Sequence, residues 1–276
     1  MECFQKYFIH NKEIKLCSDF DENLYSKGTS VYEVIRIEQG VALFLEDHLE
    51  RLFQSAHILN LNIDERFDDI KSTIKELVRI NSVLIGKIKL MVHFNSENNK
   101  QHDFLIYFNP HYFPTVQEYK NGVKTGLCTA IRTNPNAKMH NTKARLKANH
   151  IIAEKKLFEV ILMDKDGFMT EGSRSNVLFI SEDSVISALE KDILQGIARK
   201  NVKRICLENK IPFIERKIHF NELSQMDALF LTGTSLKVLP VSAFEEIRFS
   251  AENPLLHKLM HLYDLKIEKY IKKNLK

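Results

Sequence analysis

The chain has 276 residues, 44% of them hydrophobic and 28% charged, with a net charge of +4. This balance supports a packed core and excludes a disordered chain. The small charge, with Lys and Arg scattered among Asp and Glu, argues against nucleic acid as a partner. No run of about 18 apolar residues occurs, so no membrane-spanning helix is expected, and charges and histidines interrupt Met1 to Leu16 too often for a secretory segment. Cys3, Cys17, Cys128 and Cys206 have the spacing of neither a zinc site nor a disulfide framework. Reduced thiols in a cytoplasmic protein, with no bound metal, are the expectation.

In chain order, Val31 to Ile37 reads as a strand and Gly40 as a hairpin turn before Ala42 to Leu45. Leu49, Leu52, Phe53, Ala56 and Leu59 follow helical spacing, which predicts a helix over Asp47 to Leu59, and Phe67 to Ile80 gives a second. Lys87 to Phe94 and Phe104 to Phe108 read as two strands of a long hairpin around Asn95 to Asn99. Asn109 to Thr115 holds Pro110 and Pro114 and no helical period, so it is the expected linker. Further strands are predicted at Leu127 to Ile131, Glu159 to Met163, Val177 to Ile180 and Ala228 to Leu231. Helices are predicted at Lys143 to Leu157 and Ile197 to Glu208, and a turn at Asp164 to Gly167. The lysines from Lys266 to Lys276 read as the solvated face of a last helix. The pattern is α+β in two domains, expected over residues 1–113 and 114–276.

Several short stretches carry chemistry. Lys138-Met-His-Asn141 follows Pro135 in a polar segment. Glu171-Gly-Ser-Arg-Ser-Asn176 sits between a hairpin and an apolar strand. Arg51 borders the buried face of the first amphipathic helix. Leu194-Gln-Gly-Ile197 opens a helix whose first amides favour an anion, and Thr232-Gly-Thr-Ser235 is a second small-residue turn after a strand. Each alone is ordinary. Together they supply one lysine, one carboxylate, one arginine and two anion turns, an inventory suited to pyridoxal phosphate.

With these blocks the chain resembles the class IV aminotransferases, which include branched-chain aminotransferases, D-amino-acid aminotransferases and aminodeoxychorismate lyases. The matching stretches run in family order from Gly28-Thr-Ser-Val-Tyr-Glu-Val-Ile-Arg36 and Phe44 to Ala56, through Arg132 to Lys138, Glu159 to Leu162, and Gly167 to Val177. They end with Leu194 to Arg199 and Leu231 to Pro240. The resemblance implies a two-domain fold-type IV enzyme with a small α/β N-terminal domain and a larger barrel-like C-terminal one. It implies pyridoxal 5'-phosphate as cofactor, an amino acid and a 2-oxo acid as small-molecule partners, and a homodimer.

Carried over residue by residue, Lys138 becomes the lysine that bonds the cofactor's aldehyde and moves the proton. Asn141 three residues on, and an ungapped distance to Glu159, favour Lys138, with Lys143 the alternative. Glu171 becomes the partner of the ring nitrogen. Arg51, the amides of Ile197 and Ala198, and Thr234 hold the phosphate. Leu194 packs on the ring and Asn176 lies nearby. Tyr32, Arg36, His93 and Ser235 fall on the substrate side. Ala198 stands where the family usually has Thr, which removes a hydroxyl and keeps the amide. The strand ending Met91-Val-His-Phe94 lacks the family's Arg-Gly pair, leaving His93 or Arg36 to act there. The implied reaction is transamination between a branched-chain-like amino acid and a 2-oxo acid. The alternatives are an aminodeoxychorismate lyase, which releases pyruvate and p-aminobenzoate, and a non-catalytic binding protein that kept the fold.

Overall fold

The ten-residue strand at Thr29–Glu38 buries Val31, Ile35 and Ile37 on one side and directs Ser30, Tyr32 and Arg36 to the other. That alternation fixes which face of the first sheet meets the helices. The computed structural model describes residues 2–25, 27–95, 102–139 and 143–275. Most of the expected Asn95 to Asn99 turn, and Asn141, lie outside the described residues. Contact density divides the chain into two units: 1–112 with 137–140 and 267–276, and 113–136 with 141–266.

Unit 1 contains β1 (Tyr7–His10), β2 (Glu13–Leu16), β3 (Thr29–Glu38), β4 (Val41–Ala42), α1 (Leu45–Ile58), α2 (Phe67–Asn81), β5 (Ile85–Phe94) and β6 (His102–Phe108). Its sheet runs β2-β1-β6-β5-β3-β4, antiparallel throughout. Leu45, Leu49, Leu52 and Ala56 of α1, with Ile70, Ile74 and Leu77 of α2, form stripes at helical spacing. They pack on Val31, Ile35, Ile37, Ile88, Leu90 and Val92. The opposite face is covered by residues near the N-terminus: Cys3, Phe8 and Cys17 cluster with Met91, Leu105 and Tyr107, flanked by Phe20, Tyr25 and Tyr32.

Here one expectation is corrected. Cys3 and Cys17 form a disulfide, their Cα atoms 5.6 Å apart, while Cys128 and Cys206 are free and buried. The β1–β2 hairpin pairs Tyr7 with Leu16, and the Cys17 N–H donates to the Lys6 carbonyl at 2.9 Å, which folds Cys17 back beside the first residues. Spacing along the sequence does not reveal this, because the hairpin register sets it.

Unit 2 contains α3 (Val116–Asn121), β7 (Val123–Thr129), α4 (Lys143–Lys155), β8 (Glu159–Met163), β9 (Phe168–Gly172), β10 (Asn176–Ser181), β11 (Ser184–Ser187) and α5 (Ile197–Glu208). It continues with β12 (Phe213–Glu215), β13 (Ile218–His219), β14 (Ala228–Gly233), β15 (Lys237–Phe244), β16 (Ile247–Arg248) and α6 (Pro254–Asn274), whose last turns, from Ile267, count with unit 1. The sheet runs β12-β11-β10-β14-β15-β7-β8-β9-β13, with β16 on β15. Four strands separate β9 from β10 along this path, yet only residues 173–175 connect them in sequence. A linker that short spans roughly 10 Å to 14 Å, so the sheet curls back on itself as a barrel-like wall. Its core holds Val177, Phe179, Leu229, Leu231, Leu239, Val241 and Phe244. No helix among the described residues is long and apolar enough to cross a membrane.

Candidate active site

In unit 1 the lysine expected to hold the cofactor is fixed through its backbone. β4 pairs only with the Ile37 and Glu38 end of β3, leaving the Val31 and Tyr32 edge to be taken up by the segment carrying Lys138. Tyr32 N–H donates to the Lys138 carbonyl at 3.2 Å, and Met139 makes an antiparallel bridge with Val31. Lys138 N–H donates to Ser55 Oγ at 3.1 Å, and Ser55 Oγ donates to the Arg51 carbonyl at 2.8 Å. The Lys138 Nζ lies 5.0 Å from the centre of the Tyr32 ring, a cation–π distance.

Arg51, on α1, is buried and engages Glu33 of β3 with two parallel bonds, Nε to Oε1 and Nη2 to Oε2, each 2.7 Å. His48 Nδ1 meets Glu33 Oε2 at 2.7 Å. Burial of Glu33 pushes its carboxyl up, but the Arg51 charge, the hydrogen bonds from Arg51 and His48, and the His48 charge outweigh it and hold the group at about 2. His48 is drawn below the usual imidazole range, first by burial, with Glu33 opposing and Arg51 and Lys138 adding to the fall.

Of the substrate-side candidates, His93 is buried beside Tyr32's end of β3. Its Nδ1 meets Ser30 Oγ at 2.8 Å and its ring meets the edge of Tyr25 at 5.3 Å. Arg36 sits four residues beyond Tyr32, roughly 13 Å along the strand, where its Nε pairs with Glu38 at 2.8 Å. Unit 1 thus gathers Lys138, Tyr32 and Arg51 around β3, and Arg36 lies apart from them.

Sequence reading passed over Glu33 and Ser55. Glu33 is the one charged residue among the inward positions 31, 33, 35 and 37 of an otherwise apolar face. His48, Arg51 and Ser55 recur at helical spacing beneath it. An acid at a core parity opposite an arginine at a core spacing was a readable signal.

In unit 2, Glu171 is the last residue but one of β9, and its side chain is buried. It accepts from Arg132 Nη1 at 3.0 Å and from the Leu194 N–H at 3.2 Å. The 173–175 turn wraps a second buried acid: Glu159 accepts from Ser173 Oγ at 2.7 Å, Arg174 N–H at 3.0 Å and Ser175 Oγ at 3.2 Å. That anchor sets the turn separating Glu171 from Asn176. Asn176 Nδ2 then donates to the Leu194 carbonyl at 2.8 Å, so both backbone groups of Leu194 are held by residues of this motif.

Gly196 is the N-cap of α5 and makes no side-chain cap. A Cβ there would stand 1.9 Å from Asn176 Oδ1, so only glycine allows this approach. The uncapped first amides of α5, Ile197 and Ala198 among them, form an anion-favouring end. Thr234 and Ser235 lie partly buried in the turn that follows β14, and the Thr232 hydroxyl opposite Asn176 is buried without a hydrogen-bond partner. Unit 2 thus joins Glu171, Asn176, Leu194 and the start of α5. Arg132 is the member that sequence reading left without a role.

The Amino-transferase class IV family matches residues 30–244. The chain belongs to the class IV aminotransferases. It is 31% identical over 237 residues to a D-alanine aminotransferase of Bacillus licheniformis, covering 82% of this chain and 83% of that one. It is 26% identical over 255 residues to a branched-chain-amino-acid aminotransferase of Pseudomonas aeruginosa, with coverage of 86% and 83%. The branched-chain amino acid aminotransferase of Escherichia coli has the same fold, with a TM-score of 0.87 at 19% identity over 96% of this chain and 95% of that one. This class IV aminotransferase is therefore an enzyme with the two-part α+β fold of its family.

Proposed function

We propose that this aminotransferase uses pyridoxal 5'-phosphate to move an amino group between a branched-chain-like amino acid and a 2-oxo acid, with Lys138 as the covalent lysine. The observation that carries this reading is the anchoring of Lys138 by Tyr32 and Ser55 on either side of its peptide, with its amine over an aromatic ring. A solvated surface lysine has no need of such fixation.

The residues present suit the cofactor. The orphaned Thr232 hydroxyl, the uncapped α5 amides and the glycine-only approach at Gly196 suit a phosphate and a flat ring. When bound, the cofactor supplies an aldehyde for the lysine and an electron-withdrawing ring. In this reading Lys138 Nζ takes the proton from the substrate's α-carbon and returns it. Glu171, charge-paired with Arg132, keeps a proton on the ring nitrogen. Ile197, Ala198, Thr234 and Arg51 bind the phosphate oxygens, and Leu194, oriented by Asn176 and Glu171, packs on the ring. Tyr32, His93 and Ser235 orient the substrate, with Arg36 further along β3.

A second reading has D-alanine as donor, because the Bacillus licheniformis relative at 31% identity bears that name. A lyase is the third, since a Legionella pneumophila protein that bears the provisional name 4-amino-4-deoxychorismate lyase shares this fold, with a TM-score of 0.79 at 21% identity over 86% of this chain and 91% of that one. Leucine, valine, isoleucine and D-alanine should be assayed with 2-oxoglutarate and pyruvate, alongside 4-amino-4-deoxychorismate. Turnover of the branched-chain donors supports the first reading. Turnover of D-alanine alone, or release of pyruvate without an amino acceptor, replaces it. Lys138→Ala should lose the borohydride-sensitive visible absorbance that Lys143→Ala retains; the reverse result moves the assignment to Lys143.

A further inference from the structure

On the face of unit 1 turned away from α1 and α2, a chain of charged contacts leads to Lys138. Lys89 projects there from β5 and is only 3% exposed. Its ammonium lies 5.6 Å from the ring centres of both Tyr32 and Tyr107. It donates to both carboxylate oxygens of Glu2, at 3.1 and 3.0 Å, and the Tyr107 hydroxyl donates to Glu2 at 2.5 Å. Lys138 approaches the same Tyr32 ring. One ring therefore receives two cations, and Glu2 accepts from the Lys89 ammonium.

That partner is held by a covalent tie. Glu2 precedes Cys3, which is bonded to Cys17, and the Glu2 N–H donates to Glu22 at 2.5 Å. Removing the Glu2 charge takes a negative group away from the buried Lys89 ammonium, which shares the Tyr32 ring with a second ammonium, and both desolvation and repulsion oppose the arrangement left behind.

We propose that Glu2 and Lys89 are positioning residues for the chemistry at Lys138: Glu2, anchored by the Cys3–Cys17 disulfide, holds the Lys89 ammonium on the Tyr32 ring that also carries the Lys138 amine. The inference rests on the reading of Lys138 as the cofactor lysine. It makes the reaction responsive to thiol state. A dithiol reductant opens the Cys3–Cys17 bond by giving two electrons and two protons to the two sulfurs, and leaves as its own disulfide. Glu2 then loses its tether, and the positive field at Tyr32 rises. Raised positive potential favours the neutral form of a neighbouring amine.

The test reads the Lys138 amine directly in the cofactor-free chain, by the pH dependence of its trace acetylation followed by peptide mass spectrometry. Glu2→Gln should lower the midpoint, and Lys89→Met should raise it, each by roughly half a unit to one unit. Dithiothreitol on the unaltered chain should act like Glu2→Gln. Cys3→Ser should show the lowered midpoint and no further response to reductant. In the cofactor-loaded enzyme, Glu2→Gln should change kcat more than KM, with the pH profile displaced in the same direction as the acetylation midpoint. A merely structural role would move both variants the same way or neither, and either result overturns the proposal. If Lys89→Met does not fold, Glu2→Gln and the reductant experiment decide it: no midpoint change in both overturns it. Acetylation needs no cofactor, so a chromophore surviving Lys138→Ala sinks the cofactor reading while the coupling of Glu2 to the amine is still measured.

Discussion

A carboxylate shut away from water keeps its charge only where its neighbours outweigh the loss of hydration. Glu33 meets this condition through a two-pronged Arg51 contact and His48. Its carboxyl falls from 4.5 to about 2 against the upward push of burial. A depressed acid contributes stability that is complete above its unfolded value and disappears as pH falls through the folded one. The window here is therefore about 4.5 down to about 2. The shift corresponds to about 3 kcal/mol at neutral pH. Glu33→Gln should cost at least ~3 kcal/mol at pH 7, since it replaces the charge that accepts both parallel bonds from the buried Arg51 with a neutral amide. The gap between wild type and variant should narrow towards pH 2. Denaturant midpoints measured along the pH scale check this, and a gap that stays constant would show that Glu33 carries no charge in the folded chain. The residues of this network differ in how readable they were. Arg51 could be picked out from its place on an amphipathic helix. Ser55 could not, because its contribution is a hydrogen bond to the backbone of Lys138, 83 residues away in sequence.

At the level of elements, legibility followed length and periodicity. α1, α2, β3, β5 and α5 have enough residues for a period to stand out, and their bounds lie close to those expected from the sequence. β12, β13 and β16 have two or three residues, and α3 has six, too few for any period to register. β15 was missed for another reason. Pro240 sits inside it and argues against a strand, yet β15 runs between β14 and β7 in the middle of the sheet. β7 begins earlier than predicted, at Val123, and its partners β8 and β15 are both parallel, a pairing set by crossovers rather than by local pattern. The start of α5 allows a sharper test. Gly196→Ala would drive a methyl into Asn176 and break the bond from Asn176 to the Leu194 carbonyl. Loss of that one buried bond, about 1 kcal/mol or more, should weaken affinity for pyridoxal phosphate about five-fold to ten-fold, measurable by equilibrium dialysis. Asn176→Ala removes the same bond by another route and should weaken affinity to a similar degree. Unchanged affinity in both variants would detach Gly196 and Asn176 from cofactor binding.

For the whole chain, the division into two units, each with its own sheet and core, agrees with the two-part fold of the family. The disulfide was beyond sequence reading, since two cysteines 14 apart are joined only once a hairpin has turned the chain. A ligand that binds the folded chain and not the unfolded one raises its stability by mass action, by about 2.7 kcal/mol at a concentration a hundred times Kd. For a chain of this size each kcal/mol is worth about 2–4 °C. Pyridoxal phosphate at that excess should therefore raise the melting temperature by roughly 5–10 °C. With Lys138 as the covalent lysine, as proposed, Lys138→Ala should show a much smaller rise at the same concentration. Glu171→Gln should behave oppositely in the two assays. The side chain still accepts a hydrogen bond, so most of the thermal shift should persist; with Glu171 as the ring nitrogen's partner, as proposed, a neutral amide no longer favours its charged form and turnover should slow. Calorimetry and rate measurements on the same preparations separate these cases. A full thermal shift in Lys138→Ala would mean that another amine holds the cofactor, and unchanged turnover in Glu171→Gln would mean that the ring nitrogen has a different partner.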